Sequence, residues 1–151
     1  MSPETAHLLA RSLSTLEVRV RQQNISASRM ARTLQKHSAI EQVYYPGLEN
    51  FKGHEIAKRQ MSDFGGMLSI NIAGGAGAAV KMVDALRLFT IAPSLGGVES
   101  LVSQPSLTSH RDLTAKLRVE RGISDSLIRL SIGLEDPDDI ENDLLQALMG
   151  I

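Results

Sequence analysis

The sequence predicts an α+β domain in which a small antiparallel or mixed sheet is flanked by helices and preceded by a long N-terminal helix. Segments with helical spacing of apolar residues alternate with short β-prone runs, and the connections between them are short. The 151 residues suit one structural unit that buries about two-thirds of its unfolded surface. Because parallel strands need long crossovers, we expect mainly antiparallel pairing with the helices on one side of the sheet.

The longest predicted element is a helix over residues 3–36, with Ser2 as its cap and Pro3 in its first turn. Such a helix would be about 50 Å long, whereas a compact domain of this size is roughly 35–40 Å across. Either the helix breaks near residues 22–24, or part of its apolar stripe packs on something that this chain does not contain. The second interpretation is favoured. We therefore divide the chain into a long interface helix, residues 1–37, and an α+β domain, residues 38–151.

The other predicted elements follow without a repeat or a low-complexity tract. Strands are predicted over residues 40–45, 67–72, 89–92, 100–102 and 127–132, and helices over 54–61, 78–86, 114–121 and from 137 onward. Gly74–Gly77 is interpreted as a turn, because it lacks the Lys and Ser/Thr of a phosphate-binding loop. Asp136 is a strong cap signal, and the acidic run over residues 135–143 is interpreted as this cap plus a solvated helix face.

Composition limits the classes of partner. A net charge of −1 and 3% aromatic residues argue against a nucleic-acid partner. No apolar stretch approaches the roughly 18 residues of a membrane span. The absence of cysteine removes thiolate chemistry and fits a cytoplasmic location, while the four histidines lack metal-ligand spacing, so no metal site is expected.

Arg129 is the most informative residue, because it interrupts the apolar run Leu127–Ile132. A guanidinium stays charged, and burying it without a partner costs several kcal/mol, so it must reach solvent or meet an anion. One interpretation is a solvated residue on the polar side of a strand. The other is an arginine that binds a carboxylate, since its planar fork matches that anion.

A second segment with candidate site residues is Ile91–Leu101. Ser94 ends a short strand before two glycines, and two strand ends that carry Ser94 and Arg129 would form a carboxylate pocket; alternatively the segment is only a turn. Leu95 and Glu99 are possible pocket residues. Glu99 is either a pocket acid or an ion-pair partner of an arginine, and the ion pair is favoured.

Four motifs resemble the cystathionine γ-synthase/γ-lyase family, the pyridoxal-phosphate (PLP) enzymes of cysteine and methionine metabolism. These motifs are Val43–Leu48, His54–Met61, Ala92–Leu101 and Gly122–Asp136. The resemblance runs in order from about Ser2 to Leu148 and corresponds to the C-terminal domain of such fold-type I enzymes. It implies that the long helix packs against the larger PLP-binding domain.

Carried over by position, the resemblance implies that Arg129 grips the substrate α-carboxylate with Ser94 beside it. Ser109 stands with His110 where the family has a Thr-His pair, and Pro93 stands where many members have Glu. Ser12 and Ser14 replace the usual Gly and Lys of the leading helix. The family's Schiff-base lysine, its ring-stacking aromatic and the acid that pairs with the pyridine nitrogen lie in the N-terminal domain, so the resemblance implies no Schiff-base lysine in this chain.

The expected function is thus the C-terminal part of a PLP-dependent transsulfuration enzyme that acts on an amino-acid substrate. The reaction would be γ-replacement of an activated homoserine by cysteine, or γ- or β-elimination of cystathionine. Such a chain would be inert without a PLP-binding partner domain or subunit in a homo- or hetero-oligomer. The alternative is a free-standing binding or dimerisation module, or a truncated non-catalytic fragment. An acyl-transfer triad of Ser94, His110 and Glu99 lacks the spacing of a nucleophile elbow.

Overall fold

The computed structural model describes residues 1–151. Segments with alternating apolar residues form its strands, and segments with helical periodicity form its helices. The helices are α1 (Pro3–Leu13), α2 (Leu16–Leu34), α3 (His54–Gln60), α4 (Gly75–Ala85), α5 (Ala115–Glu120) and α6 (Pro137–Leu148). The strands are β1 (Ile40–Tyr44), β2 (Met67–Ile72), β3 (Thr90–Ile91), β4 (Leu101–Ser103) and β5 (Leu127–Ser131). They form one sheet in the order β1-β2-β5-β4-β3, in which only β3 and β4 are parallel. The predicted α+β class with a small mixed sheet is confirmed.

One face of the sheet is apolar and buried, and the other is polar. Strand β2 buries every second residue, and Ile70 pairs with Ile128 of β5 on the buried face. Helices α2 and α4 contact the strands, and α6 packs against both of these helices. Met30, Met82 and Leu144, one from each of these helices, are at most 1% exposed. Burying each such side chain contributes about 1.5–3 kcal/mol.

The N-terminal region corrects the prediction of one continuous helix. The helix is interrupted at Ser14–Thr15, between α1 and α2, whereas residues 22–24, the less favoured alternative for a break, lie within α2. The hydroxyl of Ser14 donates to the carbonyl oxygen of Arg11 over 2.6 Å, and that of Thr15 donates to the carbonyl of Ser12. Such bonds compete with continuation of the helix.

Helix α1 and the N-terminal half of α2 expose several apolar side chains that nothing in this chain covers. Helix α1 buries no side chain, whereas the C-terminal half of α2 joins the core. The exposed apolar residues of both helices are Leu8, Leu9, Leu13, Leu16, Val18, Val20 and Ile25. We call these seven residues the N-terminal apolar stripe. Their exposure is of the kind that marks an interaction surface.

Helix α4 begins at Gly75, earlier than the predicted start at residue 78. Three of the four residues predicted as a turn, Gly75 to Gly77, therefore lie in the first turn of the helix. Gly74 and Gly75 have φ angles of +90° and +75°, which glycine adopts without a steric penalty. The chain therefore makes its turn at these two residues, and the helix is already established at Gly77. The remaining elements agree with the prediction to within a few residues.

The acidic run of residues 135–143 is only partly a solvated face, which corrects that interpretation. Asp136 does cap α6, since its Oδ1 accepts from the backbone N–H of Asp138 over 2.8 Å. Asp143, however, is only 7% exposed and accepts from the backbone N–H groups of Arg87 and Leu88, each over 2.9 Å. The run supplies acceptors to a distant loop, and no local pattern reveals this.

Candidate functional site

Arg129 lies on the polar face of the sheet, in the middle of β5. Its neighbours across the sheet are Ser69 on β2 and Ser103 on β4. These side chains are short, so the sheet does not cover the guanidinium. Arg129 takes part in none of the salt bridges of the chain. Its positive charge therefore has no acidic partner within this chain.

The guanidinium meets backbone carbonyls of the segment that follows β3. Its Nη2 donates to the carbonyl oxygens of Pro93 and Ser94 over 2.8 and 2.9 Å. Its Nε–H is buried and has no hydrogen-bond partner. A guanidinium binds a carboxylate bidentately either through Nε and Nη2 or through Nη1 and Nη2. A carboxylate bound in either way therefore shares Nη2 with these two carbonyls. A charged group with an unsatisfied buried donor favours an anionic ligand.

The segment of residues 93–99, which we call the substrate-side loop, has no helix or strand of its own. The backbone N–H of Gly96 donates to the Ser131 hydroxyl over 2.8 Å, and Gly96 has a φ of +71° that favours glycine. The carbonyl of Gly97 accepts from the Gln23 side chain over 2.7 Å. The loop is thereby attached both to β5 and to α2.

Every second residue from Arg129 onward contacts this loop or the residue after it. Arg129 bonds to its beginning and Ser131 to its middle. The N–H of Gly133 donates to the Ser100 hydroxyl over 2.9 Å, and Glu135 accepts from the N–H and the hydroxyl of Ser100 over 2.6 and 2.8 Å. We call residues 129, 131, 133 and 135 the loop ladder. Its period of two begins as that of strand β5, and the chain bends at residues 134 and 135.

The structure brings together Arg129 and Ser94, two of the predicted site residues. The contact uses the carbonyl of Ser94, whereas the prediction concerned its hydroxyl. Leu95 lies in the same loop and is 56% exposed. Glu99 is exposed and forms no salt bridge, so the favoured ion pair between Glu99 and an arginine is absent. Ser109 lies in the segment after β4, where its hydroxyl is 2.8 Å from Nδ1 of His110; no hydrogen bond links it to Arg129.

Sequence reasoning missed Gln23, Ser131 and Glu135. The spacing of polar residues at every second position from Arg129 is a signal that finds Ser131 and Glu135. Gln23 was interpreted as part of a helix break, whereas it is polar because its side chain binds the loop. Its partner is 74 positions away, and no local pattern indicates such a pairing.

The residues of this chain fit the substrate end of a PLP site better than the cofactor end. A Schiff-base lysine is a desolvated amine. The five lysines, which are Lys36, Lys52, Lys58, Lys81 and Lys116, are all exposed, and none takes part in a hydrogen bond between side chains or a salt bridge.

No cluster of three or more potential metal ligands is present, and none of the helices has the length and apolar character needed to cross a membrane.

Arg129 is partly buried and lines none of the five main cavities of the chain. The cavity with the largest volume, about 640 Å³, lies beside Gly74, Lys81 and Gly150. A small ligand is usually enclosed on most sides. The fold and site thus define an α+β domain in which Arg129, an arginine without an acidic partner, lies beside the loop of residues 93–99.

A family comparison specifies this class further. The family model described as Cys/Met metabolism PLP-dependent enzyme matches residues 1–149, and the chain belongs to this family. It is 47% identical over 151 residues to the chloroplastic cystathionine gamma-synthase 1 of Arabidopsis thaliana, covering 100% of this chain and 27% of the relative. It is 44% identical over 148 residues to the cystathionine beta-lyase of Lactococcus lactis subsp. cremoris, covering 98% of this chain and 39% of the relative.

Solved structures agree with the family assignment. The chain superposes with a TM-score of 0.92 on the cystathionine gamma synthase of Xanthomonas oryzae pv. oryzae in complex with cystathionine, at 45% identity, covering 98% of this chain and 38% of that one. The cystathionine gamma lyase of Micromonospora echinospora gives a TM-score of 0.91 at 43% identity, with coverage of 96% and 38%. The chain therefore spans well under half the length of these relatives.

Proposed function

We propose that this chain supplies the substrate-carboxylate site of a PLP-dependent transsulfuration enzyme. The observation that carries the proposal is the guanidinium of Arg129, which has a buried, unpartnered Nε–H and no acid within salt-bridge distance. An amino-acid α-carboxylate would accept a hydrogen bond from this Nε–H and would balance the positive charge. Membership of the Cys/Met metabolism family supports this class of substrate.

In this proposal, Arg129 binds the α-carboxylate and the substrate-side loop forms one wall of the site. A charge-assisted hydrogen bond to this anion contributes about 1.5–3 kcal/mol. Its larger effect is orientation, since a fixed carboxylate fixes the direction of the bonds at Cα and Cγ. PLP, when bound, supplies the stabilisation of negative charge at the substrate carbon. The reaction is γ-replacement that joins cysteine to an activated homoserine, or γ- or β-elimination of cystathionine.

The cofactor is held by a PLP-binding domain or subunit that packs on the N-terminal apolar stripe. Two features support this assignment. The stripe exposes seven large apolar side chains, and the lysines of the chain do not fit a Schiff base. The proposal places the assembled enzyme in a homo- or hetero-oligomer in the cytoplasm; the Arabidopsis relative carries the name chloroplastic. The chain without its partner is catalytically inert.

Reconstitution tests the proposal. The chain is co-expressed with the PLP-binding region of a related synthase or lyase, and the co-purified complex is assayed for protein-bound PLP absorbance and for cystathionine formation or cleavage. We expect a stable complex with both signals. In the same complex, Arg129→Leu should retain the PLP absorbance and lose most of the turnover. Failure of every pairing to form a complex with PLP absorbance would contradict the proposal.

The exposed stripe also favours a second candidate, a binding or dimerisation module that uses α1 and α2 without any catalytic role. Calorimetry with cysteine, homoserine esters and cystathionine separates the two functions in the assembled protein. The carboxylate site predicts binding that is lost in Arg129→Leu. A module without this site predicts no binding that depends on Arg129, together with self-association that is lost when Leu9 and Leu13 are replaced by serine.

A further inference from the structure

The loop ladder carries an acid whose only polar contacts are with one residue. Glu135 is half-buried and forms no salt bridge; its two oxygens accept from the N–H and the hydroxyl of Ser100. Ser100 is fully buried and is the residue that directly follows the substrate-side loop. Hydrogen bonds to an ionised carboxylate are about twice as strong as neutral ones. Glu135 is therefore committed to fixing one end of this loop.

The backbones of the two segments also touch at this end. Gly133 packs so closely that an added Cβ would lie 2.5 Å from the carbonyl oxygen of Val98. That same carbonyl accepts from the N–H of Leu134 over 2.8 Å. The backbone of the loop is therefore closely packed beside Glu135. We therefore expect a displacement of Ser100 to move the rest of the loop as well, because Val98 is in close contact with Gly133.

The other end of the loop is the one that meets Arg129. Only five residues separate Ser94 from Ser100, and the N–H of Gly96 between them donates to the hydroxyl of Ser131. The carbonyls of Pro93 and Ser94 occupy Nη2 of Arg129, which belongs to both donor forks. The positions of these two carbonyls therefore determine the orientation of the guanidinium. They also determine which of its N–H groups remain available to a carboxylate.

We propose that Glu135 is a positioning residue for the carboxylate site at Arg129. By hydrogen bonding to Ser100, it fixes the position of the substrate-side loop relative to Arg129. This role rests on the proposed function of Arg129 as the carboxylate-binding residue. It differs from a merely stabilising role, because its effect on the substrate passes through Arg129.

A double-mutant cycle in the complex of this chain with its PLP-binding partner tests the role. We expect Glu135→Ala to lower kcat/KM by about tenfold to a hundredfold, mainly through KM. In the Arg129→Leu background the same substitution should change kcat/KM by less than about twofold, because the grip is already lost. Glu135→Gln keeps an acceptor for the N–H of Ser100 and should restore activity to within about threefold of the parent.

Two further measurements separate positioning from loss of stability. Hydrogen exchange at the Gly96 amide should accelerate by about tenfold or more in Glu135→Ala, because the loop is released. The matched control is Glu141→Ala, which removes a carboxylate that bonds to Thr33 and Arg29 on α2, away from the loop. This control should leave both the Gly96 exchange and KM unchanged.

The outcomes are distinguishable. Equal effects of Glu135→Ala in the parent and Arg129→Leu backgrounds would overturn the positioning role and leave the carboxylate site standing, as would unchanged KM and Gly96 exchange in Glu135→Ala. If Arg129→Leu itself leaves the substrate affinity unchanged, the proposed function is wrong, and the positioning role fails with it.

Discussion

Arg129 and Glu135, six positions apart in the chain, hold opposite ends of the same loop. The guanidinium of Arg129 donates to the carbonyls at the start of the loop, and the carboxylate of Glu135 accepts from the residue that follows its end. The two opposite charges do not form an ion pair with each other. Because each charge is directed at the loop or at the residue that follows it, residues 129–135 attach the loop at both of its ends.

The first prediction concerns the shape of the cation at position 129. Arg129→Lys keeps the charge and loses the planar fork, so it should lower kcat/KM of the reconstituted complex by about tenfold to a hundredfold. Arg59→Lys, on the exposed surface of α3, is the matched control and should leave kcat/KM unchanged. Steady-state kinetics with the amino-acid substrate provides the measurement. Full activity of Arg129→Lys would show that charge alone suffices and that the fork is not used.

The second prediction concerns the close contact at Gly133. An added Cβ there would lie 2.5 Å from the carbonyl oxygen of Val98 and 2.6 Å from the carbonyl carbon of Glu99. Since both obstacles are backbone atoms, Gly133→Ala should lower the free energy of unfolding by about 1–3 kcal/mol. Urea denaturation measures this change. Gly77→Ala is the control: its Cβ meets nothing within 4 Å and it lies in α4, so it should raise stability by about 0.5–1 kcal/mol.

The third prediction concerns the buried acid of α6. Asp143 accepts from the N–H groups of Arg87 and Leu88, so Asp143→Ala leaves these donors without their acceptor. We expect a loss of about 1–3 kcal/mol in the free energy of unfolding. Asp139→Ala removes an exposed acid from the first turn of the same helix and should cost at most about 1 kcal/mol. Equal losses in thermal or urea denaturation would contradict the buried-acceptor role.

The fourth prediction concerns pH. A hydrogen bond from Thr33, over 2.5 Å, and the neighbouring Arg29 lower the pKa of Glu141 below its ordinary value of 4.5. The folded protein therefore holds the Glu141 proton less tightly than the unfolded chain does. The resulting stabilisation is fully present above pH 4.5 and is lost as the pH falls through the lower, folded pKa.

Urea denaturation at pH 7 and at pH 3 checks this sign. The stability advantage of the parent over Glu141→Gln should be larger at pH 7 than at pH 3. Thr33→Val removes the leading cause of the lowered pKa and should reduce this pH dependence. An advantage that is constant between the two pH values, or one that grows toward acid, would refute the assignment.

Much of the fold was predictable because it depends on local patterns. The alternation in β2 predicts its bounds and its buried face, and Asp136-Pro137 predicts the start of α6. The interruption of the first helix at Ser14–Thr15 was not predicted. The polar pair at residues 23–24 looks like an interruption, although both side chains are buried on the inner side of α2.

The site was predictable only in part. Arg129 stands out because a charge inside an apolar run needs an explanation, and Ser94 follows from its place at a strand end. The contact between them uses a carbonyl, which every residue has and which therefore leaves no trace in the sequence. Glu99, chosen as the acid of its segment, forms no ion pair, whereas Glu135, interpreted as part of a solvated face, bonds to buried Ser100.

By itself, the sequence determined the α+β class, the alternation that buries one face of the sheet and the position of Arg129 inside an apolar run, since each depends on spacing within a few residues. Only the tertiary structure decided what surrounds that arginine. The antiparallel register of β4 against β5 brings Ser103 opposite Arg129 and carries residues 93–100 alongside residues 129–135. Partners that are some 35 positions apart meet only after the strands pair, so their hydrogen bonds are a consequence of register, which no local pattern contains.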